Sequence, residues 1–581
     1  MLKRLSEEQK IAVLEEKNVL LIACPGSGKT RTLTYKIAHE LKKIENSKQK
    51  IIALTFTNRA ANEIEKRITN LNINTSNLWT GTIHSFCIEW ILRPYMSQLE
   101  ELKNGFLVAD QYTSEKIILS LKEKYSINRW KKISTKYLIS GEKEEIQYKK
   151  LIDEYHSILK KEKLIDFEQI LYYSYKILID FPKVPIILKS IFHLICIDEY
   201  QDIQELQYAL LGKIVEVKSK LCKIFMVGDK DQAIYKSLGG VVKSKEEIKD
   251  IFNINNFSLK TLSGNYRSHP KIIEFYENFQ LFKIKIEALN KILEDDSKLV
   301  YNKEITKDEI GNEITKIIKE RLNKGIPEEE ICVIAPDWYL AIPMARELQK
   351  LLPEVNFDAI GISPMAANKD NFFFKLARIF LTPPAPNKII IRKKWASELI
   401  KELSCLGLNI LENSSTQSKE FLKITNSISS DKKKGLNYLE ECFKFFFNRI
   451  EIDIFANSFL TLQWKIFFEA SQKKIMDHKF CDNTESFFKI FNTKSGIVIN
   501  SCYGVKGEEF DTVIAFGLLD GKIPHWADED KETSAKNLLY VICSRAKSHL
   551  YLISEKQRLN GLRKELLPTP QLLRINYEYD S

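Results

Sequence analysis

Residues 18–41 read "NVLLIACPGSGKTRTLTYKIAHEL", and this stretch decides the fold. The run 18–23 is apolar on both faces, as a strand buried within a parallel sheet must be. It ends in the small-residue loop Cys24, Pro25, Gly26, Ser27, Gly28 and passes at Lys29 into an amphipathic stretch. A strand, a glycine-bearing loop and a helix N-terminus in that order turn successive backbone N–H groups toward one point, which makes a phosphate cradle. Ala23 stands where the strict G-x-x-x-x-G-K-[ST] pattern has its first glycine, and a residue that small preserves the turn. Ala23 through Thr30 are the expected nucleotide-binding set, with Lys29 reaching the β/γ-phosphates and Thr30 the Mg²⁺ of a bound ATP.

Working outward, similar apolar runs recur: "IIALTF", "HLICID" and "CKIFMVGD", then "ICVIAP", "SGIVINS", "DTVIAFG" and "SHLYLIS". Their two clusters, 18–230 and 330–555, predict an α/β protein with two doubly wound domains. Residues 88–160 and the stretch from the Pro-rich "LTPPAPN" (381–387) to about 485 carry helical periodicity instead, which predicts a helical insertion in each domain. "HLICIDEYQD" ends a strand in adjacent carboxylates. Asp198 is placed to hold Mg²⁺ through water and Glu199 to act as general base on the attacking water. The next strand carries Gln232 just past its end, where an amide can sense the γ-phosphate.

The composition sets bounds on the class. A chain of 581 residues implies roughly three or four domains. The net charge of +11 comes from 88 basic against 77 acidic residues, a modest excess compatible with a polyanionic partner. Ten single cysteines without a C-x-x-C pair or a histidine cluster predict reduced, buried thiols rather than a metal site or a disulfide framework. No run approaches the roughly 18 apolar residues of a membrane span, and "MLKRLSEEQK" lacks an apolar signal core, so a cytoplasmic protein is expected.

"LSEEQ", "ACPGSGKTR", "ALTFTNRAANEIEKRI", "GTIHSF", "LIDFEQIL", "IDEYQD", "VGDKDQAIY", "LSGNYRS", "VKGEEFDTVI" and "LLYVICSRAK" follow one another between residues 5 and 553. In kind and order they resemble the motifs of the UvrD/Rep/PcrA-like helicases of superfamily 1. The resemblance implies an ATP-driven DNA helicase that moves 3′ to 5′ on single-stranded DNA and acts at single-strand/duplex junctions. It also implies two RecA-like P-loop domains: 1A (1–87 and 161–268) interrupted by the helical insertion 1B (88–160), and 2A (269–381 and 486–581) interrupted by a reduced 2B (382–485). By motif matching, Gln9 would read the adenine edge, Arg31 would lie beside the nucleotide and Tyr266 would stack on the base. Arg267 would approach the γ-phosphate, Glu509 would contact the ribose and Arg545 would be the arginine finger of the second domain.

Sequence-indifferent strand binding needs aromatic faces interleaved with polar backbone contacts. "TFTNRAA" offers Phe56 for stacking with Thr55, Thr57 and Asn58 beside it, and "GTIHSF" offers Thr82 and His84. Tyr235 stands where the family presents a stacking aromatic, but Ser237 replaces the usual tryptophan. Ser501 and Tyr503 stand in for the family's Thr and His, Glu508 for a Leu, and Pro336 and Asp337 for an Arg and an Asn. His525 and Trp526 read as further exposed aromatics. Since the chain stops at Ser581, soon after the last motif, a nuclease activity would have to come from a partner. A second expectation is therefore an ATP-responsive DNA-sensing subunit resembling that of Gabija-type antiphage systems, which works with an OLD-family nuclease.

Overall fold

The apolar runs do become strands. In the computed structural model, which describes residues 2–109, 111–215, 222–236, 239–254, 257–290, 297–359, 364–366, 371–408, 417–478, 482–491 and 496–580, the first six are β1 (Asn18–Ala23), β2 (Lys50–Leu54), β3 (Leu78–Gly81), β4 (Phe192–Asp198), β5 (Lys223–Gly228) and β6 (Phe257–Leu262). They form one parallel sheet in the order β3-β2-β4-β5-β1-β6. A second parallel array follows from β7 (Lys298–Asn302), β8 (Ile331–Ala335), β9 (Ile497–Ser501), β10 (Phe510–Ala515) and β11 (Ala546–Ile553), in the order β7-β11-β10-β8-β9. Strands apolar on both faces need helices on both, and the chain supplies them between the strands.

The protein divides into two compact units: Met1–Leu107 with Lys132–Val355 and Ile497–Ser581, and Val108–Lys131 with Asn356–Gly496. All eleven of these strands belong to the first. The core of the second array takes in residues from the first sheet, because Cys24 just past β1 and Ile234 beyond β5 cluster with Leu539 and Val541 of the Lys531–Cys543 helix and Leu552 of β11. Three helices frame the nucleotide end of the first sheet. In α1 (Glu7–Leu14), Ser6 and Gln9 form a reciprocal capping box. The helix α2 (Lys29–Leu41) starts directly at the loop glycine, and α3 (Asn58–Thr69) starts at the Thr57 cap.

The second unit is helical around an aromatic core of Phe372, Phe373, Phe443, Phe446, Phe447 and Phe467. These divisions differ from the insertion limits expected above. Residues 88–107 and 132–160 group with the sheets, whereas the helix Phe372–Phe380, which precedes the Pro-rich break, groups with the helical unit. The reason is burial: "FFFKLARIF" is apolar nearly all round and needs the rings of the Gly435–Arg449 helix as partners. The proline stretch is a turn inside that unit and does not mark its border.

Cys24, Cys87, Cys196, Cys222, Cys332, Cys442, Cys502 and Cys543 are buried, and none of them forms a disulfide. Among the described residues no helix is long and apolar enough to cross a membrane.

Candidate nucleotide and nucleic-acid site

The site lies at the carboxyl ends of β1, β4, β5 and β6, where open parallel sheets place their ligands. Gly26 and Gly28 both take left-handed backbone angles, φ +69° and +79°. A Cβ at Gly26 would meet the Arg267 Cβ and the Asn265 Oδ1 at 2.8 Å, so both conformation and space require glycine there. Gly28 caps α2 without a side-chain hydrogen bond, leaving the first amides of the helix for an anion. The loop is held from outside. Asn265 Nδ2 donates to the Pro25 carbonyl (2.9 Å), Gln9 Nε2 to the Ser27 carbonyl (2.9 Å), and Ser27 Oγ to the Cys24 carbonyl (2.7 Å).

Around Lys29 stand three buried carboxylates, Asp198, Asp202 and Asp229, and the half-buried Glu199. Burial and the adjacent Glu199 push Asp198 up to about 7. Burial also raises Asp202 and Asp229 to about 6, against the pull of Lys506 and Lys29 respectively. Glu199 goes the other way: burial would raise it, but Lys29, Lys506 and a 2.6 Å hydrogen bond from Gln201 Nε2 hold it below the usual value. Its backbone sits at φ +52°, a strained conformation for a glutamate of the kind found where chemistry fixes a side chain.

The second array reaches into this cluster. Arg545, 1% exposed, donates from Nη2 to Gln232 Oε1 (3.0 Å) and from Nη1 to the Glu508 carbonyl (3.2 Å), and burial together with Arg267 lowers its guanidinium to about 10. Gln232 in turn donates to Asp229 Oδ2 (2.7 Å). Lys506 donates to Asp202 Oδ2 (2.6 Å) and to the Gln232 carbonyl (2.7 Å). Arg267 donates from Nε to Glu509 Oε2 (2.8 Å) and from Nη1 to the Ser544 carbonyl (2.8 Å).

Three rings from three motifs then line up. Phe56, 46% exposed, stacks on Tyr235 (4.6 Å, 19°), and Tyr235 lies 6.0 Å from Tyr503 and donates its hydroxyl to the Tyr503 carbonyl (3.1 Å). The Lys506 ammonium lies 4.9 Å over the Tyr235 ring, so one lysine touches both the rings and the carboxylates.

Several sequence-predicted residues have other engagements. Gln9 is buried with its amide spent on Ser27 and Ser6, Arg31 donates to the Arg4 carbonyl, and Glu509 pairs with Arg267. Tyr266 is exposed, its N–H bonded to the Gly26 carbonyl. Thr55 and Ser501, expected to face the strand, are buried. The Thr55 hydroxyl donates to the Thr57 carbonyl, and the Ser501 hydroxyl accepts from the Gly504 N–H. The Thr57 and Thr82 hydroxyls cap helices. His84 stands edge-on to Phe167 (5.3 Å, 87°), and burial lowers its imidazole to about 4. The Asn58 side chain and Ser237 lie outside the described residues. Asp337 caps the Trp338–Leu351 helix and pairs with Lys522 (3.0 Å), while Trp526 is 72% exposed beside His525.

Sequence reasoning missed Asn265, Gln201, Asp229 and Lys506. Each stands inside or beside a motif quoted above, so the available signal was a polar residue next to an assigned one.

A phosphate-cradle loop on one parallel array, with an arginine beside the second bonded to Gln232 near the same carboxylates, is the geometry expected of a two-lobed P-loop protein. The comparisons with known proteins agree. Residues 5–253 match the UvrD/REP helicase N-terminal domain, and residues 475–557 match the UvrD-like helicase C-terminal domain. The chain is 24% identical to the ATP-dependent DNA helicase PcrA of Staphylococcus aureus over 96% of its own length and 84% of that protein. It is 23% identical to PcrA of Staphylococcus epidermidis over the same shares. It is 26% identical to a probable DNA helicase II homologue of Mycoplasma capricolum over 76% of its length and 64% of that protein. The chain belongs to the UvrD-like superfamily 1 family of ATP-dependent DNA helicases.

Proposed function

We propose that single-stranded DNA stimulates ATP hydrolysis at this site, and that hydrolysis drives 3′-to-5′ movement and strand separation. In this reading the two sheets with their helices are the motor lobes 1A and 2A. The observation that carries it is Arg545, which comes from the second lobe and ends on Gln232 of the first, inside the carboxylate cluster. A nucleotide bound there draws the lobes together, and loss of its γ-phosphate releases the arginine contact.

The roles divide by position. Gly26, Gly28, the α2 amides and Lys29 hold the phosphates. Arg267 and Arg545 offset charge developing on the γ-phosphate, and Glu199 takes the proton of the attacking water. Thr30 and Asp198 fit a Mg²⁺ ion: they offer a hydroxyl and a carboxylate, hard oxygen donors, and the buried Asp198 carboxyl beside Glu199 lacks a cation at contact distance among the described residues. Such an ion supplies Lewis-acid polarisation of phosphate oxygens. Phe56, Tyr235 and Tyr503 present ring faces to unpaired bases, and Lys506 joins those rings to Gln232 and Asp202.

Strand displacement on 3′-tailed and 5′-tailed duplexes tests the direction. The reading expects unwinding of the 3′-tailed substrate alone. Hydrolysis stimulated by DNA without displacement of either substrate would favour the DNA-sensing subunit that works with a nuclease.

A further inference from the structure

The helical unit contains a cleft of ≈ 530 Å³ that shares no lining residue with the nucleotide site. Its cationic wall is Arg392, Lys393, Lys419 and Lys423, and its apolar wall includes Ile389 and Leu422; among the described residues no carboxylate lines it. That volume lies in the range of small-molecule sites, about 300–1,000 Å³.

Arg392 is the unusual member. Its side chain is 4% exposed, and Nη2 donates to the Ile379 carbonyl (3.3 Å) and to Asn426 Oδ1 (2.7 Å). Its Nε is buried without a partner, and no ion pair reaches the guanidinium among the described residues. Two other cations of the same unit are matched: Lys375 pairs with Glu402 and Glu398, and Arg378 with Glu398. A buried guanidinium without a counter-charge is costly, and three neighbouring lysines add to the local positive potential. An anion in the cleft relieves both, and a planar guanidinium suits phosphate.

We propose that this cleft binds a nucleoside phosphate, its phosphate against Arg392 and the lysines and its base or sugar against Ile389 and Leu422. The choice of a nucleoside phosphate rests on the helicase reading, whereas the anion site itself does not. Two sources share this chemistry: a free mononucleotide and the phosphorylated terminal nucleotide of a strand.

The test uses the full chain with no other nucleotide present, because the readout is local to the cleft. Thymidine 5′-monophosphate, thymidine, and 5′-phosphorylated and 5′-hydroxyl oligothymidylates are titrated, and protection of Lys419 and Lys423 from acetylation is read by mass spectrometry. Protection by the monophosphate and not by thymidine is expected. Protection only by the phosphorylated oligomer assigns the site to a strand end. Read by protection of Lys393, which lines the same cleft and is retained, the Lys419→Glu/Lys423→Glu variant, changed at two exposed positions, is expected to bind the monophosphate at least about tenfold more weakly, since charge-assisted contacts are lost. Arg392→Met should do the same if it folds; if it does not, the surface variant decides. Equal affinity in wild type and surface variant, equal protection by thymidine, or no protection by any probe overturns the proposal. Hydrolysis with and without DNA, measured on the same preparations, reports separately on the helicase reading.

Discussion

Arg545 and Gly26 make opposite demands on the nucleotide site. The buried Arg545 guanidinium is held by Gln232 and the Val541 and Glu508 carbonyls, so it is positioned before any ligand arrives. Arg545→Ala should lower kcat for ATP about 10³-fold or more, with a much smaller change in nucleotide affinity, in a steady-state hydrolysis assay. Arg545→Lys should not rescue it, because a point charge cannot span Gln232 and the Glu508 carbonyl together. Gly26 must stay small and left-handed. Gly26→Ala should weaken nucleotide binding and cost roughly 1–3 kcal/mol in denaturant unfolding, because its Cβ would press on Arg267 and Asn265. Glu40 shows charge used for stability instead. It is fully buried against Lys36 (3.0 Å), Lys43 (3.1 Å) and His193 (3.0 Å), and although burial alone would raise its carboxyl, those partners hold it well below the usual 4.5. A depressed carboxylate stabilises the fold above its unfolded pKa, so this contribution is full at neutral pH and is lost as pH falls below about 4.5. Glu40→Gln should cost about 3–5 kcal/mol at pH 7 by leaving Lys36 buried without its counter-charge, and should flatten the acid limb of the stability profile.

At the level of elements, the ring ladder joins the end of β2, the turn after β5 and the turn after β9. Tyr235 stands in the middle, so Tyr235→Ala should weaken single-strand binding by about 1–3 kcal/mol in fluorescence anisotropy while hydrolysis without DNA changes little. Phe56→Ala should act in the same direction. An unchanged affinity in both variants would place the strand elsewhere. These elements also show why part of the site could be read from the chain and part could not. The P-loop and the Asp198–Glu199 pair follow from strictly local order, a buried strand running into a loop, and local order is legible. The surroundings of Ser501 and Thr55 were not legible, because a polar residue at a strand end looks the same in sequence whether it faces solvent or bonds back to its own turn. Lys506 escaped because its partners, Asp202 and Gln232, are some 300 residues away in the chain, and only the folded core brings them together. The extent of the compact helical unit is not legible for a similar reason: a proline-rich stretch signals a turn, but whether that turn ends a unit depends on which aromatic faces pack across it.

For the whole molecule, the central claim is that strand occupancy and ATP hydrolysis are coupled through contacts shared by the two lobes. Lys506 over Tyr235 and beside Gln232, and Arg545 on Gln232, supply that connection within one compact unit. The most direct measurement is ATP hydrolysis by the full chain with and without single-stranded DNA, for wild type and for Glu199→Gln. The account predicts strong stimulation by DNA in the wild type, and a loss of about 10²–10⁴-fold in Glu199→Gln with nucleotide binding retained, as removal of a general base requires. Hydrolysis indifferent to DNA, or a variant as active as the wild type, would contradict it.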